Sequence, residues 1–367
     1  MRKDWQYEKL GDISSSLLIE KAKKRFNPND VIRYIDISSI DNINQRLIGT
    51  TSFKMLDAPS RAQQKVEYGD ILISTVRPNL RNIAIVNDDA SNLVASSGFC
   101  VLRINDAALR RYIFYYVVSN KFTAYLGKLT NGANYPAVKE TDVRKAFIPI
   151  PPKSTQLSIV SELDKLNELI RIKKEQLKDY DTLAQSIFYE MFGDPVENEK
   201  GWEVKKFGDL FKLKSGDGLS SKDFKTGIYP VYGGNGISGY HNSFNMKGCY
   251  IIIGRVGVYC GNVRKVEGEF WLTDNAFRLI YKENEQNPFF ILYLLNILDL
   301  HQYANAAAQP VISNLTLKSI NVPLPPLSLQ QSFAHKIEQI ERQKAEVQKT
   351  ITDLETLLAA RMQYWFD

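Results

Sequence analysis

The sequence has 367 residues, of which 44% are hydrophobic and 24% charged, a composition typical of soluble globular proteins with more than one domain. Lys and Arg outnumber Asp and Glu by 47 to 41, so the net charge of +6 permits a polyanionic partner without requiring one. No apolar run approaches the ~20 residues of a membrane-spanning helix, and residues 1–5 do not begin a signal peptide. We therefore expect a cytoplasmic protein.

The residue types that carry chemistry are sparse. Cys100, Cys249 and Cys260 form no Cys-x-x-Cys pair and the histidines lie far apart, so neither a disulfide framework nor a zinc site is expected, and the thiols should be buried and reduced. The chain also lacks a phosphate-binding Gly-x-x-x-x-Gly-Lys loop and the Asn/Asp-Pro-Pro-Tyr/Phe tetrad of amino-methyltransferases. We predict no catalytic residue, no metal and no cofactor in this chain.

Residues 1–150 mix strand and helix character. Gly69–Ser74, Asn82–Val86 and Phe99–Ile104 are predicted strands, because each is a short apolar or β-branched run next to turn residues. Arg111–Leu126 is a predicted helix, rich in aromatic and aliphatic residues. The first segment is therefore predicted to be an α/β domain.

A long helix is predicted to follow. Pro149–Pro152 cannot continue a preceding helix, Ser154 is a candidate N-cap, and Gly193 is a candidate C-cap about 38 residues later. Lys173 is the polar member of a stripe whose apolar residues recur by fours and threes, the heptad pattern of a coiled coil. The apolar members are Ile159, Leu163, Leu166, Ile170, Leu177, Tyr180, Ala184, Ile187 and Met191.

Residues 195–324 repeat the plan of the first segment. Trp202–Asp209 echoes Trp5–Asp12. Strands are predicted at Gly248–Ile253, Gly261–Val266 and Ala276–Ile280, and a helix at Pro288–Tyr303. The glycine-rich run from Tyr232 to His241 is either an open loop that exposes two tyrosines or a tight turn.

The second long helix repeats the first without a gap. A shift of 174 residues places Pro149 on Pro323, Gln156 on Gln330 and Phe192 on Phe366. Ser328 is the candidate N-cap, in a capping box with Gln331. The stripe recurs with Lys344 and Arg361 as polar members, and its apolar members are Phe333, Ile337, Ile340, Val347, Ile351, Leu354, Leu358 and Trp365. Two such helices are expected to pair with each other.

The predicted fold is therefore a mixed α+β chain with an internal repeat. Its predicted parts are a first domain (1–150), a first helix (151–194), a second domain (195–324) and a second helix (325–367). Because the shared scaffold is kept while the loops differ, the two domains are predicted to bind two different things.

Arg- and Asn-rich runs follow the central predicted strand of each domain. Arg and Asn pair bidentately with guanine and adenine edges, so we predict base contacts there. Lys214 and Ser215 are predicted instead to hold phosphate. The full set of candidate DNA contacts is Arg77, Asn79, Arg81, Asn82, Lys128, Asn131, Asn134, Tyr135, Lys214, Ser215, Asn235, Tyr240, His241, Arg255, Tyr259, Asn262, Arg264, Asn305 and Gln309.

This duplicated arrangement resembles the specificity subunit of type I restriction-modification systems. The resemblance is carried by the Trp-x-x-x-Lys-x-Gly-Asp pattern at 5–12, by the proline-rich runs with glutamine at 148–156 and 322–330, and by Met191–Asp194. It implies two target recognition domains that read a split double-stranded DNA sequence, joined by an antiparallel coiled coil with pseudo-twofold symmetry.

The resemblance also implies that two modification subunits and the restriction subunits are partners, and that S-adenosylmethionine, ATP and Mg²⁺ bind to them. The chain itself is then not an enzyme. An alternative from another class is a protein-interaction scaffold with two domains on a helical strut. That alternative keeps the duplication but does not need the arginines in the loops.

Overall fold

The computed structural model describes residues 5–14, 19–130, 136–282, 286–305 and 309–366. It contains two compact units, each with α and β elements, and each is described by itself. The first unit comprises Met1–Ile172 and Thr350–Asp367, and the second comprises Lys173–Lys349. Each unit thus contains a globular segment and parts of both long helices.

The first unit is built on short strands. Within the described residues they form the sheets β1-β11, β10-β7-β8-β4-β3 and β5-β2-β9-β6. The three strands predicted in this unit are present as β7, β8 and β10. The strand bounds are β1 (Gln6–Lys9), β2 (Val31–Ile35), β3 (Ile40–Asp41), β4 (Arg46–Leu47), β5 (Thr51–Lys54), β6 (Ala62–Lys65), β7 (Ile71–Ser74), β8 (Ile83–Ile85), β9 (Leu93–Ser96), β10 (Phe99–Leu102) and β11 (Phe147–Ile150).

The predicted helix at Arg111–Leu126 is two helices. The chain breaks after Val117, where the Ser119 side chain accepts a hydrogen bond from the Phe122 N–H and caps a new helix. Short 3-10 helices occupy Ile37–Ser39, Met55–Asp57 and Pro78–Leu80. The α-helices of this unit are α1 (Leu10–Ile13), α2 (Ala22–Arg25), α3 (Ala107–Val117), α4 (Asn120–Gly127) and α5 (Glu140–Arg144), followed by the long α6 (Lys153–Phe192).

The second unit has one larger sheet, β13-β18-β16-β17-β14-β15, and the pair β12-β19. Its strands are β12 (Glu203–Lys206), β13 (Phe211–Ser215), β14 (Tyr229–Gly233), β15 (Gly236–His241), β16 (Met246–Gly254), β17 (Val263–Leu272), β18 (Ala276–Tyr281) and β19 (Asn321–Leu324). Its helices are α7 (Phe207–Leu210), α8 (Pro288–Ile297) and α9 (Asn314–Lys318), followed by the long α10 (Leu327–Phe366), with 3-10 helices at Ser221–Asp223 and Leu300–Tyr303.

The predicted helix at Pro288–Tyr303 is also interrupted. Asp299 adopts a left-handed conformation with φ of 43°, which ends α8 and starts the 3-10 helix. Cys249, expected to be buried, is exposed because it lies on the outer half of β16, where the strand runs beyond the core. Cys100 and Cys260 are buried as expected, and burial raises the pKa of the Cys100 thiol to about 12.

The two units share a plan at the level of strand order. The triplet β10-β7-β8 in the first unit matches β18-β16-β17 in the second. The echoed tryptophan segments pair equivalently with the strands that precede the long helices: Tyr7 lies opposite Pro149, and Val204 lies opposite Pro323. The predicted duplication of domain and helix is therefore confirmed in the backbone.

The long helices have 40 residues each, about 60 Å at 1.5 Å per residue. The predicted N-caps are wrong by two positions, since the first helical hydrogen bonds are accepted by the carbonyls of Pro152 and Pro326. Ser154 and Ser328 lie inside the first turn. Instead of a serine cap, each helix uses a buried glutamine: Gln156 donates to the Pro151 carbonyl at 2.8 Å, and Gln330 to the Pro325 carbonyl at 2.9 Å.

Within each unit the two helices pack side by side. In the second unit Lys344 bonds Asp181 at 2.7 Å, and Phe333 packs against Phe188 at 5.6 Å. Residue numbers thus fall along one helix as they rise along the other, so the helices are antiparallel there. In the first unit Arg361 forms an ion pair with Glu162, whose carboxylate also accepts from the Trp365 indole at 2.9 Å.

The predicted stripe needs one correction. Near the end of α6 the buried residues are Ala184, Phe188 and Phe192, whereas Ile187 and Met191 are only half-buried. A helix of 3.6 residues per turn drifts against a strict seven-residue repeat, and here the drift brings the phenylalanines inward. They pack with Phe290 of α8 and tie the helix to the second unit's core.

Candidate nucleic-acid interface

An exposed loop follows β7 in the first unit. Val76 forms an isolated bridge with Ala137, and the Arg77 N–H donates to the Pro136 carbonyl at 2.7 Å. The 3-10 helix Pro78–Leu80 then turns the chain back toward β8. Arg77 and Arg81 flank it with φ of 48° and 52°, a left-handed conformation that is uncommon for arginine.

Neighbouring elements hold this loop in place. The Asn42 side chain donates to the Leu80 carbonyl at 2.9 Å, and the Arg81 guanidinium donates to the Asn120 side chain at the start of α4. Asn79 is exposed at the tip. Asn82 is buried and therefore unavailable for the base contact predicted for it, a correction that its position at the start of β8 explains.

A loop in the same place follows β16 in the second unit. Val256 bridges Val311, and the Gly257 N–H donates to the Pro310 carbonyl at 2.9 Å. Val258 and Tyr259 form its tip and are 74% and 55% exposed. Asn262 is half-buried where the loop rejoins β17, and its carbonyl accepts from the Gly254 N–H at 3.0 Å.

Arg255 lies at the base of this loop. Its guanidinium is 5.0 Å from the Phe277 ring centroid and donates to the Ser215 hydroxyl at 3.2 Å. Its buried Nε has no hydrogen-bond partner within the described residues. The structure thus brings together Arg255 and Ser215, two of the predicted contact residues. Lys214, the residue before Ser215, is exposed on the edge strand β13.

The glycine-rich run is a tight hairpin, so the tight-turn alternative is correct. β14 and β15 are joined at Asn235, and Gly236 takes φ of 105°. Arg264, on β17, donates to the Asn235 carbonyl in a long bond of 3.4 Å. Asn235 and Arg264 are both exposed and lie next to each other.

His241 and Tyr240 lie at the other end of β15, about 17 Å from Asn235 at 3.3 Å per residue. His241 is buried, its Nδ1 accepts from the Lys225 N–H at 3.0 Å, and its ring packs edge-on against Trp271. The base contact predicted for His241 is therefore not available. Tyr240 is exposed but separate from the loop that follows β16.

The remaining candidates flank the two loops. Lys128 is exposed at the end of α4, eight residues after the Asn120 that anchors Arg81. Asn305 is exposed, and its side-chain oxygen accepts from the Val311 N–H at 2.8 Å, while Gln309 is exposed beside Pro310. The predicted contacts at Asn131, Asn134 and Tyr135 fall outside the described residues.

Sequence reasoning missed a basic groove in the first unit. Two adjoining cavities of about 340 and 430 Å³ are both lined by Gln45, Arg46, Arg111 and Phe114. Arg111 is held there by Asp164 at 2.6 Å. The adjacent arginines at the start of α3 were a signal in the sequence, but Arg46 is brought to them only by the fold.

Other classes of site find little support. Among the residues that the structure describes, no group of three or more His, Cys, Asp or Glu side chains could hold a metal ion. The same residues include no helix that is long and apolar enough to cross a membrane. What the fold displays is a pair of α/β segments with polar loops, each attached to a long helix, which is the architecture of a two-domain recognition protein.

Comparison with known proteins gives the family. Residues 2–179 and 199–356 each match the family described as the type I restriction modification DNA specificity domain, so the chain belongs to that family. A curated relative is the EcoprrI type I restriction enzyme specificity subunit of Escherichia coli. It is 25% identical over 94% of this chain and 92% of its own length.

Solved structures agree on the fold. A chain from a study of the assembly and conformational transition of the type I R-M system covers 99% of this chain and 97% of its own length, with 23% identity and a TM-score of 0.63. The type I restriction-modification S subunit from M. genitalium covers 99% and 96%, with 16% identity and a TM-score of 0.57. The chain is therefore a type I specificity subunit, a non-catalytic DNA-recognition protein.

Proposed function

We propose that each globular segment reads one half of a split DNA sequence and that the long helices set the distance between the two halves. The observation that carries this proposal is the repeated display: directly after its central strand, each unit presents an exposed loop bridged to the segment before α5 or α9. Two copies of one scaffold with different loops suit a target with two different half-sites.

The partners in this proposal are double-stranded DNA, two modification subunits and the restriction subunits. The S-adenosylmethionine, ATP and Mg²⁺ of the assembled enzyme would bind to those subunits, and the chain would work in the cytoplasm, where bacterial DNA is found. The exposed Lys214 and the arginines of the basic groove would contact phosphate, whereas the two loops would contact bases.

Selection from a random DNA library tests the proposal. The full chain, purified with its modification subunits, is incubated with 40-bp duplexes of random sequence, and the bound DNA is sequenced over several rounds. We expect a bipartite motif with two short specified halves and an unspecified spacer of fixed length. Bound DNA without any enriched motif would refute the proposal and favour the protein-interaction scaffold.

A further inference from the structure

The loop after β7 and the loop after β16 are equivalent residue by residue. A shift of 180 residues places Val76 on Val256 and Asn82 on Asn262. Each hydrogen bond that frames the first loop has a counterpart of similar length in the second. The matched N–H to carbonyl pairs are Val138 to Thr75 with Ile312 to Arg255, Arg77 to Pro136 with Gly257 to Pro310, Leu80 to Arg77 with Cys260 to Gly257, and Ser74 to Asn82 with Gly254 to Asn262.

The backbone conformation agrees at the two unusual positions. Arg77 and Arg81 have φ of 48° and 52°, and their counterparts Gly257 and Gly261 have φ of 94° and 92°. Glycine adopts positive φ without steric cost, whereas arginine does so against its preference. The second loop thus has the residue that suits the backbone. The first has arginine in its place, which indicates that the arginine side chains have a use of their own.

The loop tips differ in chemistry although they share a backbone. In the first loop Asn79 is exposed between Arg77 and Arg81, so the tip offers an amide and guanidinium groups. In the second loop the counterparts of Pro78 and Asn79 are Val258 and Tyr259, which are 74% and 55% exposed. The second tip therefore offers apolar surface flanked by glycines.

We propose, building on the DNA-reading function above, that these two tips are equivalent reading elements with different targets. The first loop reads purines in the major groove, because arginine and asparagine both pair with the N7 acceptor of guanine or adenine. The second loop reads thymine, because exposed Val258 and Tyr259 can pack against its C5-methyl group. Arg77, Asn79, Val258 and Tyr259 then determine the sequence preference.

Base analogues test this assignment on the motif found by selection. In each half-site, 7-deazapurine replaces one purine at a time, which removes N7, and uracil replaces one thymine at a time, which removes the methyl group. Binding by the full chain with its modification subunits is measured for each duplex. We expect a 7-deazapurine to weaken binding about ten-fold at one or more positions of one half-site, and a uracil to weaken it about four-fold in the other half-site.

Variants assign these effects to the loops. Arg77→Gly reproduces the backbone of Gly257, so a loss of binding cannot come from a distorted loop. Arg77→Gly and Asn79→Ala should bind 7-deazapurine and normal DNA equally, while the double variant Val258→Ala with Tyr259→Ala should lose only the sensitivity to uracil. Ile228→Ala, which truncates a side chain 80% exposed outside the loop, is the matched control and should behave as the parent.

The outcomes separate the two proposals. If the parent selects a bipartite motif but the loop variants keep its full sensitivity to both analogues, the assignment of the loops is wrong and the DNA-reading function stands. If the parent selects no motif, the DNA-reading function fails and the loop assignment fails with it. Thermal unfolding of each variant near the parental temperature checks that the loops are changed on a folded chain.

Discussion

Removing one heptad from each long helix should shorten the DNA spacer that the protein prefers. The first deletion is Lys174–Tyr180. Because Lys344 contacts Asp181 in an antiparallel pair, the facing heptad is Ala345–Ile351. Both deletions keep Lys173 and Lys344 in their places in the stripe, and both lie outside the globular segments. The remaining apolar positions stay in phase, since a whole heptad is removed.

The size of the effect follows from helix geometry. Seven residues at 1.5 Å per residue shorten each helix by about 10 Å, which corresponds to about 3 bp at 3.4 Å per base pair. Those 3 bp also rotate one half-site by roughly 100° around a duplex of 10.5 bp per turn. We therefore expect the preferred spacer to shorten by about 3 bp, with weaker binding because of the rotation.

The assay uses DNA that contains both half-sites with spacers of randomised length. The deletion variant should enrich shorter spacers while the half-site sequences stay the same. A variant in which the same two heptads are duplicated is the matched control, and it should enrich longer spacers by a similar amount. An unchanged spacer preference in a folded deletion variant would refute the idea that the helices set the spacing.

Three further predictions concern single residues. Phe188→Ala should lower the free energy of unfolding by about 3–5 kcal/mol, because Phe188 is fully buried, whereas Tyr189→Ala on the exposed side should cost far less; urea titration measures both. The arginine hydrogen-bonded to Glu162 lowers the pKa of that carboxyl, so its stabilisation is present above the unfolded pKa near 4.5 and is lost as pH falls through the lower folded pKa. Glu162→Gln should flatten the pH dependence of thermal unfolding in that acid range. Arg81→Ala should cost ~1–3 kcal/mol of binding and relax one half-site, whereas Lys214→Ala should weaken all sequences alike; competition binding with mutated half-sites distinguishes them.

The repeated scaffold could be predicted from the sequence because its signals are local. Proline runs, the heptad stripe and the Trp-x-x-x-Lys-x-Gly-Asp pattern recur with fixed spacing and predict the long helices and the paired edge strands. The ends of the helices were less accurate. Ser154 looked like an N-cap, but the buried Gln156 bonds back to Pro151 and moves the start of the helix. That hydrogen bond depends on burial, which the sequence pattern does not report.

The reading surface could be predicted only in part, because it depends on distant segments. The sequence located the loops after β7 and β16, but it did not reveal that Asn82 and His241 turn inward. The equivalence of Arg77 with Gly257 was hidden as well, since arginine and glycine share no side-chain chemistry. It emerged from the bonds to Pro136 and Pro310, which lie more than 50 residues away along the chain.

The most direct test of the central claim is to map the methylated bases that this chain specifies. A host without other methyltransferases expresses the modification subunits with the chain or without it, and its genome is sequenced for modified adenine. We expect methylation at one bipartite sequence only when the chain is present, and at a changed sequence in one half only when Arg77 and Asn79 are replaced. Methylation of the same sequence without this chain would contradict the account.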